Sequence, residues 1–77
     1  MPRYFFHVHD GEFILDREGK EFPDDATARR EAIFAAANML ADIAERFWDH
    51  GEWVMMVGES GREVCILTFS GNTPKPD

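Results

Sequence analysis

The sequence predicts an α+β fold of the order β-β-α-β-β, in which one long helix packs on one face of a four-stranded antiparallel sheet. A helical period of apolar residues runs through Asp24–Trp48, and a hairpin signal lies on each side of it, at Asp10-Gly11 and at Glu59–Gly61. The predicted spatial order of the strands is 2-1-3-4. This order keeps every pair of neighbouring strands antiparallel and lets the helix cross the sheet by a right-handed connection.

The helix is predicted from the spacing of its apolar side chains. At about 100° per residue, one continuous stripe contains Ala28, Ala32, Ala36, Met39, Leu40, Ile43, Ala44 and Phe47. Asp24 or Asp25 can accept the free N–H groups of the first turn, and Gly51 can adopt the left-handed conformation that follows a helix. The small alanines in the stripe indicate close packing on the sheet rather than a ligand cavity.

The two hairpin loops predict which strand residues face the helix. If Asp10-Gly11 is a two-residue turn, the strand Arg3–His9 pairs with the strand Phe13–Asp16, and Val8 lies opposite Phe13. A three-residue loop at Glu59–Gly61 pairs the last two strands so that Trp53 lies opposite Leu67 and Met55 lies opposite Cys65. The helix-facing residues are then Tyr4, Phe6, Val8, Phe13, Leu15, Trp53, Met55, Val57, Cys65, Leu67 and Phe69. A one-residue change in either loop exchanges the two faces.

The opposite face of the sheet is the candidate functional site. A sheet with one covered face is expected to be polar on the other in a monomer. Here the other face is predicted to be apolar, and apolar patches of a few hundred Å² usually mark an interface. The alternative is that β-propensity alone fills exposed strand positions with valine and isoleucine. The predicted interface residues are Phe5, His7, Ile14, Val54, Met56, Val64 and Ile66.

Composition and charge exclude several classes of function. The net charge of −7 argues against direct binding of nucleic acid and permits a basic protein partner. No apolar run approaches the ~18 residues of a membrane span, and the N-terminus lacks the features of a signal peptide, so we expect a cytoplasmic protein. Residues 1–70 are expected to form one domain. Residues 71–77, rich in Pro, Gly and Asn, are expected to form a flexible tail.

The titratable residues form no catalytic constellation, so we expect neither enzyme activity nor a cofactor. His7 and His9 alternate on one strand with Glu12 nearby, and these three are weak candidates for a metal site. A simpler interpretation is a histidine pair that borders an interface. The lone cysteine, Cys65, lies in an apolar strand and is expected to be buried and inert.

Three segments together resemble a family of short bacterial proteins, frequent in rhizobia and their relatives, that is classed only as a domain of unknown function. The matching segments are Met1–His7 with Asp10-Gly11, Glu21–Asp24 at the entry to the helix, and Trp53 followed by Glu59-x-Gly61-Arg62 and Leu67-x-Phe69. The resemblance implies a free-standing bacterial cytoplasmic protein and no activity. One departure is the apolar run Val54–Val57, where such proteins often carry a polar residue.

These observations favour a non-enzymatic interaction module, homodimeric through its sheet and able to bind a protein or regulate one. One alternative is an antitoxin-like regulator that masks a basic partner, as the acidic charge allows. The other alternative is metal binding at the hairpin of His7 and His9.

Overall fold

The computed structural model describes residues 1–75 and shows one α-helix on one face of a five-stranded antiparallel sheet. The elements are β1 (Arg3–His9), β2 (Phe13–Ile14), β3 (Lys20–Glu21), α1 (Asp25–Asp42), a short 3-10 helix (Arg46–Asp49), β4 (Glu52–Glu59) and β5 (Arg62–Ser70). The sheet order is β2-β1-β4-β5, and β3 also pairs with β1. The α+β class with one helix and an antiparallel sheet is confirmed, whereas the predicted count of four and order of 2-1-3-4 are corrected by the fifth strand, β3, which shares the edge of β1 with β2.

The outer edge of β1 is covered by two short strands with an aspartate between them. β2 pairs with the end of β1 and β3 with its beginning. Between them, the Asp16 carboxylate accepts a hydrogen bond from the Phe6 N–H at 3.0 Å. The same carboxylate accepts from the N–H groups of Glu18 and Gly19, both at 3.1 Å. The predicted strand Phe13–Asp16 therefore ends at Ile14, because a side chain takes over the pairing of β1.

The first hairpin has a three-residue loop, which corrects the predicted register. His9 pairs with Phe13 and Val8 with Ile14, so Asp10, Gly11 and Glu12 form the loop. Because side chains alternate along a strand, this shift by one residue exchanges the faces of β2. Ile14 lies on the helix side of the sheet, and Phe13 lies on the opposite side.

The second hairpin has a two-residue loop, Ser60-Gly61, in which both residues have positive φ. This is the backbone of a type I′ turn. The pairing of Trp53 with Phe69 and of Met55 with Leu67 differs by two residues from the predicted register. A shift of two preserves the faces, so the predicted helix-facing residues of β4 are confirmed: Trp53, Met55 and Val57 are all buried.

A β-bulge in the second hairpin changes the position of Val64. Gly58 pairs with Glu63 and Val57 with Cys65, which leaves Val64 as the extra residue on β5. Val64 is half-buried and packs against the core that the helix covers. The prediction that Val64 lies on the opposite face with Ile66 is therefore wrong, because strict alternation does not continue through a bulge.

The helix is shorter than the predicted span of 24–48. Of the two aspartates predicted for the N-cap, Asp24 takes this position and accepts from the Thr27 N–H at 2.8 Å. The α-helix ends at Asp42, and the chain then tightens into the 3-10 helix, which keeps Phe47 in the core. Gly51 follows with φ of 75°, and its N–H donates to the Phe47 carbonyl.

The core lies between the alanine stripe of the helix and the sheet. Ala28 and Ala32 are fully buried, as are Tyr4, Trp53 and Met55 to within 2%. Of the predicted stripe, Met39 and Ala44 are exposed instead. Met39 is exposed because the helix lies over β4 and β5 rather than β1, and Ala44 is exposed because it lies in the turn beyond the end of the α-helix.

A hydrogen-bonded cluster joins the first turn of α1 to the sheet. Asp25 accepts from the Tyr4 hydroxyl at 2.7 Å and forms a bidentate pair with Arg62, with bonds of 2.7 and 2.9 Å. The bonds from Arg62 and then from Tyr4 lower the pKa of Asp25 to about 2. The bond to Asp25, with burial, raises the pKa of Tyr4 to about 12. This cluster anchors the helix N-terminus above the β4–β5 hairpin.

Of the predicted tail 71–77, residues 71–75 contain no helix or strand, and the last two residues lie outside the described part of the chain. The Gly71 N–H donates to the Gly51 carbonyl at 2.9 Å and so extends the β4–β5 pairing by one position.

Candidate functional site

The candidate site is the sheet face turned away from the helix, which we call the open face. Alternation along β1, β4 and β5, with the corrected register of β2, places eight side chains at its centre. These are Phe5, His7, His9, Phe13, Val54, Met56, Ile66 and Thr68. None of the eight is Asp, Glu, Lys or Arg, although 30% of the chain is charged. Charged residues of these strands lie at the ends of the face. One example is the ion pair between the Arg3 guanidinium and the Glu21 carboxylate, whose nitrogen and oxygen are 3.7 Å apart.

A row of rings runs along β1 and β2 on the open face. The rings of Phe5 and His7 are stacked, with centroids 6.4 Å apart and planes inclined by 10°. Phe13 lies across from both histidines, with centroids 6.0 Å from His7 and 6.5 Å from His9. This row gives the face a rigid aromatic side beside the aliphatic residues of β4 and β5.

His7 is fixed in position by the loop that crosses the edge of β1. Its Nδ1 accepts a hydrogen bond from the Asp16 N–H at 3.0 Å, so a neutral His7 carries its proton on Nε2. Burial opposes ionisation of Asp16, but the N–H donors of Phe6, Gly19 and Glu18 outweigh it and lower the pKa of this carboxyl. The ionised Asp16 therefore holds both the strand edge and the orientation of the imidazole.

The three metal candidates do not form a site. Glu12 lies in the hairpin loop instead of opposite His9, and the Nδ1 of His7 is already occupied by the Asp16 N–H. Within residues 1–75 no group of three or more His, Cys, Asp or Glu side chains is placed to hold a metal ion.

The open face is shallow and partly shielded by its own side chains. Phe5, His7, Val54 and Met56 are half-buried, whereas Phe13 and Ile66 are 52% and 51% exposed. A depression of about 480 Å³ lies beside the β4–β5 turn, and Phe5, His7 and Met56 contribute to its lining. The face can therefore pack against a flat, apolar surface.

Five of the seven predicted interface residues lie together on the open face: Phe5, His7, Val54, Met56 and Ile66. Ile14 lies on the helix side because of the three-residue hairpin loop, and Val64 packs against the core because of the bulge. Sequence reasoning missed Phe13 and Thr68. The available signal for Phe13 was Gly11, which has φ of 75° and also suits a three-residue hairpin loop.

A second surface lies on the helix side, where α1 leaves β1 and β2 uncovered. It is a groove of about 730 Å³ with an apolar floor and a polar rim. Ile14, Leu15, Phe34 and Met39 are between 40% and 56% exposed along it. The groove lining includes four acidic residues, Asp10, Asp16, Glu31 and Asp42, and two basic ones, Lys20 and Arg46. This arrangement corrects the expectation that the helix fully covers its face of the sheet.

One end of the groove is closed by contacts between the first hairpin and the 3-10 helix. Arg46 pairs with Asp10 at 3.1 Å, and the imidazole of His50 lies directly against Gly11. A Cβ at position 11 would come within 2.6 Å of the His50 Nε2. The positive φ favours glycine here, and any other residue would also have to displace the exposed His50 imidazole.

The fold and these surfaces define a small α+β domain whose main distinguishing feature is an uncharged sheet face. The family model for a domain of unknown function, DUF6894, matches residues 3–70, and the chain belongs to this family. Comparisons with curated proteins and with solved structures found no match. In the described part of the chain, no helix is long and apolar enough to cross a lipid bilayer.

Proposed function

We propose that this protein is a non-enzymatic interaction module that forms a homodimer through its open face and acts by binding another protein. The observation that carries the proposal is the absence of charge among the eight central residues of that face. A solvated sheet face in so highly charged a chain is expected to contain lysine or glutamate. The bacterial origin and cytoplasmic location expected from the family resemblance belong to the same proposal.

The size of the open face sets the expected strength of the dimer. With strands about 4.8 Å apart and alternate residues about 7 Å apart along each strand, the eight central residues give a patch of a few hundred Å². A standard interface buries about 800 Å² on each partner. The open face alone is therefore expected to support a weak dimer, with a dissociation constant near the micromolar range.

The substitution Met56→Lys tests this proposal. Met56 lies at the centre of the open face and is half-buried, so a lysine there places a charge in the proposed interface without entering the core. Sedimentation equilibrium of the unmodified protein from about 1 to 500 µM, a range chosen around that expected constant, is expected to show a dimer. The variant is expected to dissociate at least tenfold more readily.

Ala44→Lys is the matched control, because it adds the same single positive charge at an exposed position beyond the end of α1. It is expected to leave the dissociation constant within about threefold of the unmodified value, as screened surface charges have small effects. A monomer throughout the range, or equal dissociation in both variants, would exclude the open face as the dimer interface.

A second candidate function is that of a regulator that masks a basic partner. The observation that favours it is the helix-side groove, which combines an apolar floor with four acidic and two basic lining residues. A partner helix with an apolar stripe and basic flanks fits this chemistry, in the manner of a helix bound in a groove. Phe34 and Met39 would form the helix side of that contact.

A pair of amphipathic peptides of equal apolar content tests this second function, one with lysine and one with glutamate flanks. Binding is measured by fluorescence anisotropy, and Phe34→Ser is the disrupting variant. Phe34 is 56% exposed, so its loss is not expected to unfold the protein. The lysine peptide is expected to bind at least tenfold more tightly, and the variant to lose this binding. Equal binding of the two peptides would count against the regulator.

A further inference from the structure

We propose that two copies of the chain pair antiparallel along the outer edge of β5, about a two-fold axis at Leu67, to form one continuous sheet. This inference goes beyond the open-face homodimer, because it places the contact between the two copies at the edge of the sheet and leaves both open faces exposed. The partner is a second copy of this chain, and its contribution is the backbone of β5.

The direction of the backbone groups of β5 follows from the hydrogen bonds across the sheet. The Phe6 N–H points away from β4, since it donates to Asp16. In an antiparallel ladder the N–H and C=O groups of successive residues point to opposite edges. Phe6 pairs with Val57, so Val57 directs its groups toward β5 and is hydrogen-bonded to Cys65.

The same alternation continues to the end of β5. Leu67 and Phe69 direct their N–H and C=O groups toward β4. The Gly71 N–H also points toward that side, since it donates to the Gly51 carbonyl just before β4. Ile66 and Thr68 therefore direct their backbone groups outward. Within residues 1–75 these outward groups have no strand, loop or side chain paired with them.

The two edges of the sheet differ in how they are protected. The outer edge of β1 is covered by β2, by the Asp16 carboxylate and by β3. The outer edge of β5 is open over a strand of nine residues. Exposed edges are normally blunted by proline, by charge or by shortness, and the segment Val64–Ser70 contains no proline and no charged residue.

Symmetry and charge together select the second copy and its register. In a two-fold pair, outward groups must lie opposite outward groups, which Ile66 opposite Thr68 of the second copy satisfies. This register centres the ladder on Leu67 and spans the whole uncharged segment, so no charged residue lies opposite another. Both residues of the Ile66–Thr68 pair are β-branched, which favours packing on the open face.

Edge pairing associates two copies without burying either open face. It brings the two open faces side by side as one wider apolar surface, and the Ile66–Thr68 pairs and their symmetry mates supply about four main-chain hydrogen bonds. Backbone pairing of this kind provides affinity without requiring a deep interface.

Engineered cysteines test the register directly, in a background that carries Cys65→Ser. In the proposed dimer, the two copies of residue 67 face each other across the axis with Cα atoms about 4.5 Å apart, a separation that a disulfide can bridge. The Leu67→Cys variant is therefore expected to form a covalent dimer under mild oxidation, as seen on non-reducing gels. Phe69→Cys is the control, since its two copies lie about 13 Å apart along the ladder.

Failure to crosslink at position 67, or equal crosslinking at position 69, overturns the two-fold pairing about Leu67. Crosslinking of Ile66→Cys or Thr68→Cys in place of Leu67→Cys overturns the register as well. Each variant is first checked for a cooperative unfolding transition, so that a failure to crosslink is not caused by a failure to fold.

A proline separates the edge from the open face as the source of association. Thr68→Pro removes an outward N–H and leaves the ladder to β4 intact, which is the position where an edge strand tolerates proline. Sedimentation is expected to show at least a tenfold weaker dimer. If Thr68→Pro stays dimeric while Met56→Lys dissociates, the edge proposal fails and the open-face dimer stands. If only Thr68→Pro dissociates, the open-face dimer fails and the edge proposal stands.

Discussion

Replacing Ala32 by leucine is expected to destabilise the fold by about 1–3 kcal/mol, the usual cost of overpacking a core. Ala32 is fully buried at the contact between α1 and the sheet, with Ala28 and Ala36 one turn away on either side. Leucine adds three carbon atoms, which would stabilise the protein by about 2.4 kcal/mol if the core had room for them. Because the exposure at this position is 0%, we expect strain to exceed that gain.

The assay is urea unfolding followed by tryptophan fluorescence, since Trp53 is buried in the same core. For a domain of this size, the expected loss lowers the melting temperature by about 4–8 °C per kcal/mol. Ala37→Leu is the matched control on the exposed side of the same helix. It is expected to change stability by less than about 0.5 kcal/mol, because alanine and leucine have similar helix propensities. Unchanged or increased stability of Ala32→Leu would refute the close packing of α1 on the sheet.

Two further predictions concern the aspartates that fix the loops and the helix. Asp16→Ala is expected to cost about 1–3 kcal/mol in urea unfolding, because the Phe6 N–H loses its acceptor; Asp16→Asn, which keeps an acceptor oxygen, is expected to cost less, and equal losses would argue against this role. For Asp25 the folded pKa of about 2 lies below the ordinary value near 3.9, so its contribution is present above about pH 4 and is lost as the pH falls toward 2. Melting temperature measured across this range should fall less steeply in Asp25→Asn, and an unchanged slope would exclude Asp25 as the titrating group.

The sequence was sufficient for the architecture because its strongest signals are periodic. The helical stripe and the two hairpins predict the α+β class with one helix on an antiparallel sheet, and the pair Asp24-Asp25 predicts where the helix begins. The error of two residues at the second hairpin did not affect the faces, since side chains alternate with a period of two. The error of one residue at the first hairpin moved Ile14 to the helix side, and Gly11 fits both loop lengths equally well.

The remaining differences come from side chains that replace regular backbone pairing. Asp16 occupies the place of a strand residue beside Phe6, and no alternation of apolar and polar residues encodes that exchange. The bulge at Val64 likewise depends on how the turn Ser60-Gly61 sets the local twist. The groove was missed because the stripe indicates which helix residues are buried, but not which strands they lie over.

The asymmetry between the two sheet edges limits the size of the proposed assembly. An open edge on both sides of a sheet permits addition of further copies and leads to fibres, whereas closed symmetry ends growth. Here the edge of β1 is already satisfied by β2, Asp16 and β3. Within residues 1–75, pairing of two β5 strands would therefore use the one long open edge of each copy, and the opposite edge would offer a third copy only the two-residue strands β2 and β3. The same Asp16 that orients His7 on the open face would then restrict assembly to a dimer, since without it the backbone of Phe6 offers a second site for strand addition.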